Sequence, residues 1–350
     1  MYNLLKNAVQ HLISTDSPVA ISIFERFAGV YIDDSSVISL PDSLKNIWEG
    51  CGGSYGESAA LKVQFSYDYK TGLLRGMWMQ NGKEQDKNSP TQKADLPKKG
   101  LRIHDKGFNS LKVQKAYNDN NIFWLSPYKV DVAIYDDQIE RIDIVKLFKR
   151  YCRDQLDMNI FIGAKMKEPC RIIAKRVPEE VAIERRDRII KNAKRKQREP
   201  SKRALELSNW TILITNCPIS LVSVDECIVL YKLRWQIELI FKLWKSYFFI
   251  DEWRTNKEWR ILCEIYAKLL GVLVQHWIFL SKFWYLADKS LMKASGTIKK
   301  YAFYILDVIN ELKYLCEVLE SIQNCLISGC RVQKRRKKPT FELFQALSDS

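Results

Sequence analysis

One stretch gathers a carboxylate, several cations and a phenol at helical spacing: Asp225–Lys245, DECIVLYKLRWQIELIFKLWK. Wound as a helix at about 100° per residue, it sets Tyr231, Arg234, Glu238, Lys242 and Lys245 within roughly 80° of one another. Leu233, Ile237, Ile240, Leu243 and Trp244 cover the opposite side, an apolar arc that can pack on a core. A solvated helix face also carries mixed charge, and Arg234–Glu238 has the i,i+4 spacing of an ordinary ion pair. The stretch alone leaves both readings open.

Two other acids stand where chemistry is often placed. GVYIDDSSVISLP, Gly29–Pro41, is β-branched, alternating and closed by Pro, so it reads as a strand. Its adjacent Asp33 and Asp34 should point to opposite faces of a sheet. Leu101–His104 reads as a short strand that stops at Asp105, with Gly107 turning the chain and Asn109–Ser110 able to cap a helix from Leu111. An acid at the end of a strand just before a helix is a functional position in α/β proteins, although an Asp beside a Gly also serves simply to make a turn. Asp34, Asp105 and Glu238 are thus candidate ligands for Mg²⁺, which takes oxygen donors and is often held by a few carboxylates with phosphate oxygens and water. A pair of such ions can activate a water or a 3′-hydroxyl and stabilise the leaving oxygen in an in-line phosphoryl displacement. That chemistry needs no histidine or cysteine, but three acids in a chain with 41 are weak evidence by themselves.

The elements that must position these groups belong to a chain of 350 residues with an apolar fraction of 47%, enough for a large core and two structural units. The net charge of +15 is spread along the chain and points to a polyanionic partner, nucleic acid before membrane. Nine cysteines without a C-x-x-C pair read as free thiols of a reducing cytosol, and three histidines exclude a histidine-rich metal site. The most apolar stretch, Ile261–Leu280, contains Glu264, Lys268, Gln275 and His276, which makes it a buried helix and not a membrane span.

In chain order, residues 1–28 read as a helix with Leu4, Leu5, Val9, Leu12 and Ile13 on one side. Ala60–Gly72 and Leu73–Gly82 read as a hairpin turning at Lys-Thr-Gly. Between Ile122 and about Ile214 lie short strand-like runs: IFWLS, VDVAIYD, NIFIGAK, CRIIAKRV and WTILIT. A basic segment, Glu184–Arg203, interrupts them; it is either a solvated charge run or a contact with phosphate. Further helices are expected at 258–285 and 296–328, before a second basic run at Arg331–Pro339.

Tyr231, Arg234, Glu238 and Lys245 match at every spacing the Y-x2-R-x3-E-x6-K signature, and the chain resembles DDE-type transposases of bacterial insertion sequences, of the cut-and-paste, IS4-type branch. IDDSSVISLP resembles the family's first-aspartate strand, with Asp34 at the catalytic position. LRIHDKGFNS is similar to the second-aspartate motif, with Asp105 followed by Gly107 and Phe108. WTILITNCP resembles the strand leading out of the family's insertion. The likeness runs from about residue 24 to 285. Two features depart from the family pattern: Ser126–Pro127 stands where a Ser-Arg pair is usual, and Asp34 lies close to Met1, so most of the family's end-recognition region is expected to be missing.

The resemblance implies an α/β fold: a ribonuclease-H-like mixed sheet with flanking helices, interrupted by a β-rich insertion, plus a C-terminal helical region. The expected divisions are an N-terminal helix at 1–28, the first part of the core at 29–121, the insertion at 122–218, the second part of the core at 219–285 and a basic helical region at 286–350. It implies a cytoplasmic, nucleoid-associated transposase that needs Mg²⁺ or Mn²⁺ bound by Asp34, Asp105 and Glu238. Its partners would be double-stranded DNA, both terminal inverted repeats and target, and a second copy in a synaptic homodimer, with no membrane. The excised end would pass through a DNA hairpin. Tyr231, Arg234, Lys242 and Lys245 would contact DNA phosphates, and Trp210 is a candidate for stacking on a flipped base, against the plainer reading of a packed strand residue. The alternative is a truncated, catalytically inactive remnant that binds DNA through its basic surface.

Overall fold

The computed structural model describes residues 2–10, 21–52, 58–151, 153–255, 257–286, 289–332, 342–344 and 346. Leu12 and Ile13 of the expected N-terminal helix, and most of the basic run at 331–339, lie outside the described residues. In order, the elements are α1 (Tyr2–Gln10), β1 (Val30–Leu40), β2 (Ala59–Asp68), β3 (Leu74–Asn81), β4 (Leu101–Ile103), α2 (Leu111–Asp119), β5 (Phe123–Pro127), β6 (Ile134–Tyr135), β7 (Arg141–Ile142), α3 (Ile144–Arg150), β8 (Gln155–Ile162), β9 (Glu168–Arg176), α4 (Glu179–Arg195), α5 (Lys202–Leu207), β10 (Trp210–Thr215), α6 (Val224–Lys232), α7 (Arg234–Phe248), α8 (Glu258–Lys282), α9 (Leu291–Val308) and α10 (Leu312–Gly329). They form a mixed α/β protein of two compact units, one of Met1–Asp95 with Leu233–Ser350 and the other of Leu96–Lys232.

In the first unit β1 pairs antiparallel with β2, and β2 with β3. Every residue of β2 is buried, which is why AALKVQFSYD shows no clean alternation: the strand is covered on both faces. Asp34 lies opposite Phe65 and Asp33 opposite Ser66. Asp33 is fully buried and Asp34 half-buried, as alternation along a strand requires. The apolar arc expected on α7 is formed, with Leu233, Ile237, Ile240, Leu243 and Trp244 all buried. It seats on the sheet through Phe65, whose ring stacks on Trp244 at 4.8 Å and meets Phe241 edge-on at 4.9 Å. Such aromatic pairs add about 0.5–1.5 kcal/mol each beyond the area they bury, and they hold the face carrying Glu238 near β1.

Helix α8 is long and apolar enough by composition to cross a membrane, but half of that span is packed inside the protein. Ile261, Ile265, Leu269, Val272 and Leu273 line its inner face. The buried His276 donates from Nε2 to the Gly72 carbonyl at 2.6 Å, fastening α8 to the β2–β3 turn. Gly72 is in the left-handed region, at φ +73°, and a Cβ there would collide with Leu280 and Trp284.

In the second unit the strands run β4-β5-β10-β9-β8-β6-β7. β4 and β5 are parallel; the other pairs are antiparallel. Trp124, Ile134, Ile144, Ile160, Ile162, Ile172 and Trp210 form its core. Asn216, just past β10, ties three segments: its Nδ2 donates to Asn118 Oδ1 and to the Ile122 carbonyl, and its Oδ1 accepts from Trp124 N. The basic segment between the strands is the long helix α4 followed by the short α5.

The reading of Asp225–Lys245 as one helix is corrected. The helical hydrogen-bond run stops after Lys232 and restarts at Arg234, although Leu233 keeps helical dihedrals of φ −57° and ψ −29°. Tyr231 therefore belongs to α6 of the second unit, and Arg234, Glu238, Lys242 and Lys245 to α7 of the first.

Candidate active site

In the first unit, two acids from distant parts of the chain meet one guanidinium. Arg234 Nη1 lies 2.6 Å from Glu238 Oε1 and 3.8 Å from Asp34 Oδ2. The short contact is the expected i,i+4 pair; the longer one depends on α7 lying against β1. All three side chains are largely sheltered, with Arg234 18%, Asp34 19% and Glu238 33% exposed. Asp34 Oδ1 also accepts from the Ser35 amide at 2.8 Å. Two carboxylates on one cation in a partly desolvated place interact more strongly than exposed surface pairs would.

Further along α7, Lys245 Nζ donates to the Val37 carbonyl at 3.2 Å and stands 3.8 Å from Asp251 Oδ2. The sequence does not disclose this tie between the signature lysine and the strand bearing Asp34. Lys242 is exposed.

In the second unit, Asp105 leaves β4 in extended backbone, at φ −83° and ψ 171°, and its carbonyl accepts from Phe108 N at 3.1 Å, closing a short 3-10 turn. Phe108 is buried and anchors the turn. The Asp105 side chain is not consumed by this turn: Tyr231 donates to its Oδ1 at 3.4 Å. Behind it, Arg102 is fully buried and donates from Nη1 to the Tyr117 hydroxyl at 2.7 Å.

Trp210 is placed as a packed strand residue, and the nomination for base stacking does not fit its surroundings. It is buried, its ring lies parallel to Phe148 at a centroid distance of 4.4 Å, and the Arg176 guanidinium sits over it at 4.7 Å. A base would have to displace one of these. A feature the sequence does not single out is Arg171. Buried on β9, it grips Asp157 through Nε at 2.6 Å and Nη2 at 2.7 Å, and its Nη1 donates to the carbonyls of Cys217 and Val222. Hydrogen bonding to Asp157 raises the pKa of this guanidinium against the opposing effect of burial, and burial pushes the nearby Cys217 thiol up to about 12. This cluster holds the segment entering α6 and therefore helps set where Tyr231 falls.

Asp34 and Glu238 offer the oxygen donors that Mg²⁺ takes, Asp34 on β1 opposite Phe65 and Glu238 on a helix whose aromatic rings pack on that same Phe65 of β2. Among the described residues no group of three or more His, Cys, Asp or Glu side chains could by itself hold an ion. The donors present suit an ion that completes its shell with substrate phosphate oxygens and water.

A family model for the transposase DDE domain matches residues 25–273, a span that contains all three candidate carboxylates. The chain belongs to the DDE transposase family. Its curated relatives include the transposase for insertion sequence element IS231E of Bacillus thuringiensis subsp. finitimus, 29% identical over 96% of this chain and 75% of the relative. The IS231F transposase of B. thuringiensis subsp. israelensis is 26% identical over 95% of this chain and 74% of its own length. The transposase for IS1151 of Clostridium perfringens is 27% identical over 92% and 73% respectively. This member of the family thus spans about three quarters of those relatives, and the stretch matched by the family model runs through both of its compact units.

Proposed function

We propose that this chain is an insertion-sequence transposase of the IS4-type branch that cleaves DNA at element ends and joins them to a target by metal-dependent phosphoryl transfer. The observation that carries the reading is Arg234 holding Asp34 and Glu238 together, because the fold brings to one place the first and last acids of the expected triad. Asp34, Asp105 and Glu238 would hold Mg²⁺ or Mn²⁺, which when bound supplies activation of a water or 3′-hydroxyl and stabilisation of the leaving oxygen. Arg234 lowers the mutual repulsion of its two acids and, with Tyr231, Lys242 and Lys245, takes phosphate oxygens near the transposon end. The bond from Lys245 to the Val37 carbonyl fixes that cation relative to Asp34. The same reading makes 122–218 an insertion in a ribonuclease-H-like core, routes excision through a DNA hairpin and has the enzyme act as a homodimer on paired inverted repeats.

The test is metal-dependent nicking of duplexes carrying the cognate ends, with the wild type beside Asp34→Asn, Asp105→Ala and Glu238→Gln. Cleavage by the wild type alone is the expected result; equal cleavage by Asp105→Ala refutes the assignment. The competing reading, a protein that binds DNA but does not cut it, draws on Arg234 already engaging both acids. Its signature is salt-dependent binding without preference for the ends and without nicking.

A further inference from the structure

Helix α4 divides its cations by face. At about 100° per residue, Ala182, Arg185, Arg186, Ile189 and Ala193 form one side, and Glu184, Asp187, Arg188, Lys191, Lys194 and Arg195 the other, its two acids lying before the C-terminal half. The inner arginines are structural: Arg185 donates to the Trp210 carbonyl at 2.9 Å and to Thr211 Oγ1 at 2.9 Å, and Arg186 to Asn209 Oδ1 at 3.1 Å. They hold the helix to the start of β10.

The outer cations have no such task. From Arg188 to Arg198 the sequence, RIIKNAKRKQR, contains no acid. Lys191, Lys194, Arg195, Lys196 and Arg198 are all exposed, and among the described residues none of these five makes an ion pair.

Cations at a helix C-terminus often serve as caps for its free carbonyls. Here the backbone does that work. Gln197, at φ +49°, turns the chain in the left-handed region; its N–H donates to the Lys194 carbonyl and that of Arg198 to the Ala193 carbonyl, at 3.0 and 3.1 Å. This closed C-terminal turn brings the Arg198 backbone back onto the last turn of the helix. A dense group of cations remains that neither the ion-pair network nor the helix end requires, and such a group repels itself unless an anion neutralises it.

We propose that the outer C-terminal half of α4, through Lys191, Lys194, Arg195 and Arg198, is a sequence-independent docking surface for the phosphate backbone of duplex DNA. The proposal rests on the reading that the chain acts on DNA, and it gives the second unit a backbone contact of its own, separate from the residues of α7.

The test is binding of a random-sequence duplex without element ends, followed by fluorescence anisotropy between 50 and 200 mM salt. The proteins are the full-length wild type, the variant Lys191→Gln/Lys194→Gln/Arg195→Gln/Arg198→Gln, and an equal-charge control, Lys45→Gln/Lys112→Gln/Lys300→Gln/Lys313→Gln, in which scattered exposed lysines are removed. With each phosphate contact adding about 0.9 to the slope of log K against log salt, loss of four contacts flattens the slope by roughly 3.6. The advantage of the wild type over the α4 variant then shrinks up to about 150-fold across that salt range, whereas the control keeps most of the wild-type slope. Equal slopes for the two variants, or an α4 variant that matches the wild type, overturn the proposal while leaving the catalytic reading intact. Absence of random-duplex binding by the wild type overturns the docking surface; only absence of binding to duplexes carrying the cognate ends as well overturns the catalytic reading.

Discussion

Protonation of His276 should loosen the unit that carries Asp34 and Glu238. The imidazole is buried between α8 and the β2–β3 turn, where Nε2–H donates to the Gly72 carbonyl and the ring meets Trp284 edge-on at 5.7 Å. Burial pushes its pKa down from 6.5 to about 4, with the bond to Gly72 opposing the shift only in part. Because the folded pKa lies below the unfolded one, the unfolded chain takes up the proton first as the pH falls. Stability is therefore complete above pH 6.5, declines between 6.5 and 4, and is lowest below 4. The full loss is roughly 3 kcal/mol and the part already lost at pH 5 is about 2 kcal/mol. Urea unfolding at pH 7.5 and pH 5, compared between the wild type and His276→Gln, isolates this group, since the other titrations are common to both proteins. The wild type should lose about 2 kcal/mol more than the variant between the two pH values. If both lose the same amount, His276 is not held neutral by its burial and the fastening of α8 to the turn has been misjudged.

Two further substitutions test how the second unit is built. Arg171→Met should cost about 3–5 kcal/mol in thermal or urea unfolding, because it strands Asp157 and two buried carbonyls; a loss under 1 kcal/mol would mean that the cluster is dispensable. Trp210→Ala should lower stability by about 3–5 kcal/mol as a core truncation, with duplex affinity of the still-folded fraction unchanged; a stable variant that loses about 1–3 kcal/mol of DNA binding would restore the base-stacking role.

Local pattern was enough to find most elements. Gly29–Pro41 became β1, the Lys-Thr-Gly hairpin became β2 and β3, and WTILIT is β10 residue for residue. These segments carry strong turn and β-branched signals that tertiary packing has no reason to overrule. VDVAIYD shrank to the two residues of β6, because the chain turns at Asp136, whose Oδ1 accepts from the Gln138 and Glu140 amides, and leaves β8 after Tyr135 although β8 itself runs on. The break at Leu233 was invisible because Leu is a good helix former and its dihedrals stay helical.

The types and spacings of Tyr231, Arg234, Glu238 and Lys245, and the apolar arc behind them, were written in the sequence, because helical periodicity is a local property of the chain. Which groups these side chains touch was not. The contact from Arg234 to Asp34, the tie of Lys245 to Val37, the covering of Trp210 by Phe148 and the reach of Arg171 to Cys217 and Val222 all join residues far apart in the chain. Such pairings come from the packing of whole elements against one another, Phe65 under Trp244 above all, and no window of sequence contains both halves of them.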